Sequence, residues 1–258
     1  MSQSAFKSSS FAKGTPPRCG IARALSKLGA CSRSQAREFV QAGRVTVNGV
    51  IRRDPEFPVQ LTRDRLSLDG QPVAKRSHVY LMLNKPRGLV TTTSDEKGRP
   101  TVYECLAGQD LPFLAPVGRL DQASEGLLLF TNDTAWADHL TSPASHLEKS
   151  YHVQVNQRFV AEWKHQAEAG VVIEGERYHA KRLSLLRSGE KNSWLEIILD
   201  EGRNRQIRKL LAALGLEVLR LVRVSIGPLK LGDLAKGQVR PLTDLEVRIL
   251  GSGGRHRS

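Results

Sequence analysis

Hydrophobic positions in the first third of the chain follow two helical repeats and then a strand repeat. In IARALSKLGA the apolar residues recur every three to four positions, and Gly29 can end the helix. In SRSQAREFVQAG, Ser32 can cap a second amphipathic helix. RVTVNGVIRR then alternates and turns at Asn48-Gly49, which is a strong hairpin signal. The pattern predicts a compact helix–helix–hairpin domain over residues 19–70.

After a linker near residues 72–78, strand patterns dominate a second predicted domain over residues 78–250. The apolar run VYLMLN ends at a Lys-Pro turn, and GLLLFT reads as a buried strand. Further strands are predicted over 149–155, 178–186, 194–199 and 218–224, and helices over 134–140, 158–169 and 201–215. Because no regular strand–helix–strand alternation appears, we expect an α+β fold with a mixed, mainly antiparallel sheet.

The charge of the chain indicates a polyanionic partner, which the hydrophobic pattern alone does not. The chain of 258 residues has 39 Lys/Arg and 26 Asp/Glu, a net charge of +13. Residues 1–76 hold 14 Lys/Arg against 5 Asp/Glu, so most of the excess lies in the first third. This segregation favours RNA or DNA as the partner over an evenly solvated basic surface.

Several classes of protein are disfavoured by the remaining composition. There is no apolar run of membrane-spanning length, so no membrane association is expected. Cys19, Cys31 and Cys105 form no CxxC pair, which disfavours a zinc site or a disulfide framework and fits a reducing cytoplasm. The Ser-rich stretch 1–18 reads as a disordered basic arm, with an organellar transit peptide as the alternative, and 251–258 reads as a disordered tail.

Three short segments carry candidate chemistry: GRLD at 118–121, KSY at 149–151 and GRNRQIR at 202–208. Asp121 stands in a loop before a buried strand, where an arginine neighbour would keep it ionised for nucleophilic chemistry. Arg203, Arg205 and Arg208 fall on the first turns of the predicted helix, where positive charge opposes the helix dipole and suggests an anionic partner. Tyr151 offers an aromatic face for a base. Taken singly, Asp121 could be a turn cap, Tyr151 a core aromatic and Arg208 a surface charge.

VGRLDQASEGLLLFTND resembles the signature of pseudouridine synthases of the RsuA class: Gly-Arg-Leu-Asp, two residues, Thr or Ser, one residue, Gly-Leu. LNKPRG, EKSY and EGRNRQIRKL resemble the family's other motifs in the same order. Ser124 stands where Thr is commoner, and Thr134 stands where Gly commonly follows Asn-Asp. The first domain resembles the S-four-type RNA-binding domain that accompanies this family, through Ser32-Arg33, GRV at 43–45 and VNG at 47–49.

The resemblance implies isomerisation of a uridine in ribosomal RNA to pseudouridine, without a metal, cofactor or energy source. It implies Asp121 as the catalytic carboxylate and leaves open whether it attacks the sugar, attacks the base or removes a ribose proton. Tyr151 would stack on the base, Arg208 would pair with Asp121, and Arg119 and Lys85 would contact the RNA. In the first domain Arg33, Arg37, Arg44 and Asn48 would lie nearest the RNA, although each arginine alone could be an ordinary exposed charge. We expect a cytoplasmic monomer.

Two other functions compete with this interpretation. A glycoside hydrolase would need two carboxylates across the scissile bond, and Asp121 with Glu125, four residues on, does not obviously aim both inward. Glu125 is therefore expected to be a turn residue. A non-catalytic RNA-binding or ribosome-assembly protein would share the basic charge, and loss of modification in an Asp121→Asn variant that still binds RNA distinguishes it from an enzyme.

Overall fold

The computed structural model describes residues 18–74 and 76–252 and divides the chain into two compact units between residues 75 and 76. The predicted disordered arm and tail lie almost wholly outside the described residues. Gly251, which was predicted to begin the tail, is instead the last residue of a helix. Within the described ranges, no helix is both long and apolar enough to cross a membrane.

The first unit is built from two helices and six short strands. They are α1 (Ile21–Lys27), α2 (Arg33–Gln41), β1 (Cys19–Gly20), β2 (Val45–Val47), β3 (Val50–Ile51), β4 (Pro58–Val59), β5 (Leu66–Leu68) and β6 (Gln71–Pro72). The strands β3-β2-β5-β6 form one antiparallel sheet, and β1 pairs with β4. Because β6 pairs with β5, this unit includes residues beyond position 70.

Local sequence signals explain the first unit well. The Ser32 hydroxyl accepts a hydrogen bond from the Gln35 backbone, and the Gln35 side chain accepts one from the Ser32 backbone, so α2 begins with a complete capping box. Asn48 and Gly49 have φ values of 52° and 81°, the left-handed pair that a two-residue hairpin needs. The predicted helix cap and hairpin are therefore confirmed.

The second unit contains one large sheet with helices packed against it. Its helices are α3 (Thr134–Thr141), α4 (Ala161–Ala169), α5 (Gln206–Ala213) and α6 (Asp244–Gly251). Its strands are β7 (Tyr80–Lys85), β8 (Ala115–Val117), β9 (Glu125–Thr131), β10 (Lys149–Val155), β11 (Val171–Ile173), β12 (Glu176–Tyr178), β13 (Arg182–Ser188), β14 (Ser193–Leu199), β15 (Val218–Ile226), β16 (Leu229–Lys230) and β17 (Val239–Pro241). Two short 3-10 helices, Val102–Leu106 and Pro143–Ser145, lie in the connections.

The large sheet has nine strands, ordered β13-β14-β10-β15-β9-β7-β17, with β16 paired to β15 and β8 to β9. Its pairs are antiparallel except for β15 and β9, which run parallel. The prediction of an α+β fold with a mixed, mainly antiparallel sheet is confirmed. The parallel pair places the start of β9 beside the middle of β15, where the candidate site lies.

The central strand β9 is buried along its whole length because both faces of the sheet are covered there. Leu128 and Phe130 belong to the main core with residues of α4 and α5. Leu127 and Leu129 belong to a second core with residues of α3 and α6. Since side chains alternate along a strand, the two cores lie on opposite faces of the sheet.

Three element boundaries differ from the predictions. The helix predicted from residue 201 begins at Gln206, because Arg205 before it adopts a left-handed conformation with φ 53°. The helix predicted from residue 158 begins at Ala161, after an extended Val160. The strand predicted over 178–186 is two strands, since β12 pairs only with β11 and the chain joins the large sheet at Arg182. Helix α6, which was not predicted, begins with a capping box between Thr243 and Glu246.

Candidate active site

Asp121 lies in a loop, residues 118–124, that joins β8 to β9 and is anchored through its main chain. The carbonyl oxygens of residues 120–124 each accept a hydrogen bond from outside the loop. In chain order the donors are the Thr91 hydroxyl at 2.7 Å, Lys85 Nζ at 3.2 Å, the Gly88 backbone at 2.8 Å, Arg208 Nη2 at 3.4 Å and Lys85 Nζ again at 2.8 Å. Because five consecutive carbonyls are engaged, the loop holds Asp121 in a defined position.

Lys85 lies in the protein interior beneath this loop and does not line the cavity described below. Its side chain is fully buried, and its ammonium also donates to the Pro86 carbonyl at 3.1 Å. Burial lowers the pKa of Lys85 to about 8, although the nearby carboxylates of Glu125 and Asp121 act in the opposite direction. The predicted contact between Lys85 and RNA is wrong, because a side chain without solvent exposure cannot reach a phosphate.

The arginine closest to Asp121 is Arg205. Its Nη1 atom lies 3.6 Å from Asp121 Oδ2, and both side chains are partly exposed. Arg208 instead donates to the backbone carbonyls of Val218 and Ala123, at 3.2 and 3.4 Å. The predicted ion pair between Arg208 and Asp121 is therefore replaced by one with Arg205, since the Arg208 guanidinium is engaged by main-chain oxygens.

Burial lowers the pKa of Arg208, the adjacent charge of Arg205 lowers it further, and Asp121 raises it. The two arginines thus act on the loop differently. Arg205 contacts the carboxylate itself, and Arg208 fixes the backbone two residues beyond it.

A cavity of about 630 Å³ opens in front of Asp121, a volume typical of small-molecule ligand pockets. Six of its lining residues are basic and three are acidic. The basic ones are Arg119, Lys149, Arg203, Arg205, Arg208 and Arg223, and the acidic ones are Asp121, Asp200 and Glu201. The excess of positive charge suits an anionic ligand such as a nucleotide.

Tyr151 forms part of the cavity wall while packing in the main core. It is 9% exposed and shares the inward face of β10 with Val153 and Val155. The same ring is thus a core aromatic and a surface available to a ligand in the cavity. Arg119 is exposed at the rim on the loop that carries Asp121.

Arg203 lies outside α5 and is held by acidic neighbours. Its guanidinium pairs with Glu201 at 3.1 Å and with Glu176 at 3.7 Å, and it lies over the ring of Tyr178. The predicted placement of Arg203 and Arg205 on the first turns of the helix is wrong, because α5 begins at Gln206. Both nevertheless line the cavity with Asp121.

Glu125, expected to be a turn residue, is the first residue of β9 and is 2% exposed. It accepts from Arg220 at 3.0 Å and pairs with Lys236 at 2.6 Å. Burial acts to raise the pKa of Glu125, but the hydrogen bonds and charges of these two partners lower it below its ordinary value. Glu125 is a buried structural carboxylate and does not line the cavity.

Gly126 is the signature residue whose requirement the structure explains most directly. A Cβ atom at this position would lie 2.3 Å from the backbone oxygen of Arg223, and the φ of Gly126 is 102°. Only glycine allows β15 to approach β9 at this point.

Two cavity residues, Arg223 and Lys149, were not among the predicted site residues. Lys149 belongs to the quoted EKSY motif, whereas the alternating LVRV pattern around Arg223 gives no sign of the loop beside it.

The predicted RNA-binding residues of the first unit lie on its surface, and three of the four contact acidic side chains. Arg37 pairs with Glu56 at 2.8 Å, and Arg44 pairs with Asp69 at 2.5 Å. The Asn48 amide donates to Asp64 at 2.9 Å, while Arg33 is exposed at the start of α2. Such exposed ion pairs contribute little to stability, so a phosphate can replace the carboxylate at small cost.

Comparison with known proteins adds an independent line of support. Residues 79–213 match the family model described as RNA pseudouridylate synthase, and residues 20–66 match that of the S4 domain. The chain is 34% identical to the ribosomal large subunit pseudouridine synthase B of Bacillus subtilis, over 89% of this chain and 94% of that protein. It is also 34% identical to an uncharacterised RNA pseudouridine synthase of Rickettsia prowazekii, over 88% of this chain and 95% of that protein.

A crystal structure of a pseudouridylate synthase, 30% identical in sequence, superposes with a TM-score of 0.63 and covers 90% of this chain and 99% of that one. The family match spans more than half of the chain and includes the loop that carries Asp121 and the start of α5. The chain therefore belongs to the RNA pseudouridine synthase family, with an S4 RNA-binding domain preceding its synthase domain.

Proposed function

We propose that this RNA pseudouridine synthase modifies a uridine of ribosomal RNA and that Asp121 is its catalytic carboxylate. The observation that carries the assignment is the anchoring of the Asp121 loop by five consecutive carbonyls, which presents one carboxylate to a basic cavity. A preorganised charged group is what catalysis at a reacting centre requires.

The reaction places defined demands on the cavity. The bond from uracil N1 to ribose C1′ breaks, the base turns while it is held, and a bond from C5 to C1′ forms. The proton on C5 is released and N1 gains one, so the net change is an isomerisation. Tyr151 supplies the surface on which the base rests, and Arg205 places a positive charge 3.6 Å from the Asp121 carboxylate.

When a nucleotide enters the cavity, the Arg205 guanidinium has to move partly away from Asp121. Its guanidinium is about half exposed and 3.6 Å from Asp121, which is a loose ion pair. Arg119 and Arg203, also at the cavity, are available to contact the RNA backbone around an extruded nucleotide. Arg208 is a positioning residue in this scheme, because it acts on the loop backbone rather than on the substrate.

Ribosomal RNA is the proposed substrate for two reasons. The related Bacillus subtilis protein carries the name of a ribosomal large subunit enzyme. The S4 domain adds Arg33, Arg37, Arg44 and Asn48 as contacts that grip the phosphate backbone without reading its sequence. We further propose that the protein acts as a cytoplasmic monomer, in keeping with its three free cysteines.

The test compares wild type with Asp121→Asn on unmodified ribosomal RNA transcripts. Pseudouridine is detected as a carbodiimide-dependent stop in primer extension, and RNA binding is measured in parallel. We expect a stop with wild type, no stop with Asp121→Asn and equal binding by both. Asp233→Asn, which makes the same charge change at an exposed position outside the cavity, is the matched control and should retain the stop.

A stop that persists in Asp121→Asn contradicts the catalytic assignment. If neither protein produces a stop while both bind, a binding or assembly role is supported over ribosomal RNA modification. A stop on another class of RNA but not on ribosomal RNA refutes only the proposed substrate.

A further inference from the structure

Arg223 is a buried cation in the cavity wall without an acidic partner. It is 6% exposed, and its Nε atom donates to the Leu127 carbonyl at 2.7 Å. Its Nη2 atom is buried and has no hydrogen-bond partner among residues 18–74 and 76–252. Among the described residues, no carboxylate lies within 4.0 Å of the guanidinium.

A second cation lies close to the first. Lys149, at the start of β10, lines the same cavity and forms no ion pair within 4.0 Å in the described part of the chain. Burial lowers the pKa of Lys149, and the positive charge of Arg223 lowers it further, while Asp200 acts in the opposite direction. The two cations therefore repel each other, and Asp200 compensates Lys149 only from a distance.

Two of the other arginines that line the cavity do have an acidic partner, since Arg203 pairs with Glu201 and Arg205 contacts Asp121. Arg208 resembles Arg223 in donating to backbone carbonyls and in keeping one buried nitrogen without a hydrogen-bond partner among the described residues, but it already serves the Asp121 loop. Keeping a buried guanidinium without a carboxylate partner is costly to the folded state. Such a cost is explained when the missing partner is an anion that the ligand brings.

We propose that Arg223 and Lys149 form a subsite for a backbone phosphate adjoining the target uridine. The inference rests on the proposed function, since it places the phosphate of the nucleotide whose base contacts Tyr151. Tyr151 and Arg223 face each other across the β10–β15 pair, so their side chains are neighbours on one face of the sheet. One wall of the cavity thus presents an aromatic ring for a base beside the cations proposed for a phosphate.

The signature glycine has a role in this subsite. Gly126 lies opposite Arg223 in the parallel pair of β9 and β15 and contacts its backbone. The strand that carries Arg223 therefore sits directly against the strand that follows the Asp121 loop.

The experiment compares the binding of uridine with that of uridine 3′,5′-bisphosphate to the full-length protein by isothermal titration calorimetry. We expect wild type to bind the bisphosphate more tightly than the nucleoside. Arg223→Gln should weaken bisphosphate binding by about tenfold to a hundredfold, the loss of a charge-assisted hydrogen bond, and leave uridine binding unchanged. Lys149→Gln should weaken it in the same direction. Arg187→Gln, on an exposed residue outside the cavity, should change neither.

Arg223→Lys serves as the conservative variant and should recover part of the preference, because it restores charge without bidentate geometry. Equal or undetectable binding of both ligands by wild type overturns the proposal. An equal loss for both ligands in Arg223→Gln and in Lys149→Gln assigns the two residues a structural role and also overturns it. Uridine 3′-monophosphate and 5′-monophosphate then show which phosphate is held. Since no turnover is involved, failure here is separate from failure of the Asp121→Asn test.

Discussion

Replacing Lys85 by methionine isolates the contribution of the buried ammonium beneath the Asp121 loop. The substitution keeps an unbranched chain of similar length and removes the charge and the three donors. Lys85 Nζ donates to the carbonyls of Pro86, Asp121 and Ser124 at 3.1, 3.2 and 2.8 Å. The variant therefore removes a donor from three carbonyl oxygens, of which the Asp121 oxygen keeps a hydrogen bond from the Ser124 backbone at 2.9 Å.

Two opposing terms decide the size of the effect at pH 7. Each carbonyl left unsatisfied costs about 1–3 kcal/mol, or about 2–6 kcal/mol for the Pro86 and Ser124 oxygens together. Removing the buried charge recovers the free energy that its lowered pKa represents, about 3 kcal/mol for a fall from 10.5 to about 8. The net expectation at pH 7 lies between a gain of about 1 kcal/mol and a loss of about 3 kcal/mol in the free energy of unfolding.

The dependence on pH is the sharper part of this prediction. Between pH 8 and 10.5 the unfolded chain binds a proton at Lys85 that the folded chain has lost, so the stability of wild type rises with pH relative to Lys85→Met. The free energy of unfolding of wild type should rise by about 2–3 kcal/mol relative to that of Lys85→Met from pH 7 to pH 10. Other titrating groups are common to both proteins and cancel.

Tryptophan fluorescence during urea unfolding measures this difference, because all three tryptophans lie in the second unit. Wild type, Lys85→Met and the exposed control Lys97→Met are compared at pH 7, 8, 9 and 10. The control should differ from wild type by less than about 0.5 kcal/mol throughout. The role assigned to the buried ammonium would be refuted if the free energy of unfolding of wild type, relative to that of Lys85→Met, stayed constant or fell as pH rises.

Three further predictions concern other parts of the molecule. Gly126→Ala should lower the free energy of unfolding by more than about 3 kcal/mol in thermal melts, whereas Gly49→Ala, with a similar backbone but open space, should cost about 1 kcal/mol. Glu125→Gln should cost about 3–5 kcal/mol at pH 7, and the difference should narrow as pH falls below the ordinary value of 4.5, because the lowered pKa means that the folded state stabilises the ionised carboxylate. Arg33→Ala should reduce the salt-dependence slope of RNA binding by about 0.9 without changing stability, and an unchanged slope removes Arg33 from the interface.

Elements that depend on short-range signals were predicted well from the sequence. The Ser32 cap and the Asn48-Gly49 turn are local, because the atoms that satisfy the backbone lie within a few residues. Boundaries that depend on distant partners were predicted poorly. Helix α5 begins late because Arg205 turns towards Asp121, 84 positions earlier in the sequence, and no local pattern records that contact.

The residues of the candidate site were predicted from local motifs, but the contacts between residues distant in sequence were not. The motif resemblance identified Asp121 and Tyr151, and the structure brings both to one cavity. Which cation lies against Asp121, and which one lies behind its loop, depends on how β7, β9 and α5 meet in space. The direct contact with Asp121 is therefore made by Arg205 instead of Arg208, and Lys85 is an internal support instead of an RNA contact.

The anchoring of residues 120–124 by their carbonyls also bears on how this enzyme can change over evolutionary time. Every one of those anchors ends on a main-chain oxygen, which any amino acid supplies. The side chain at position 123 can therefore change without removing any of these anchors, whereas the Gln122 amide adds one more contact, to the Gly88 carbonyl at 3.0 Å. New contacts to a different RNA can arise there while the chemistry stays in place, so substrate range and reaction can diverge independently within a single loop.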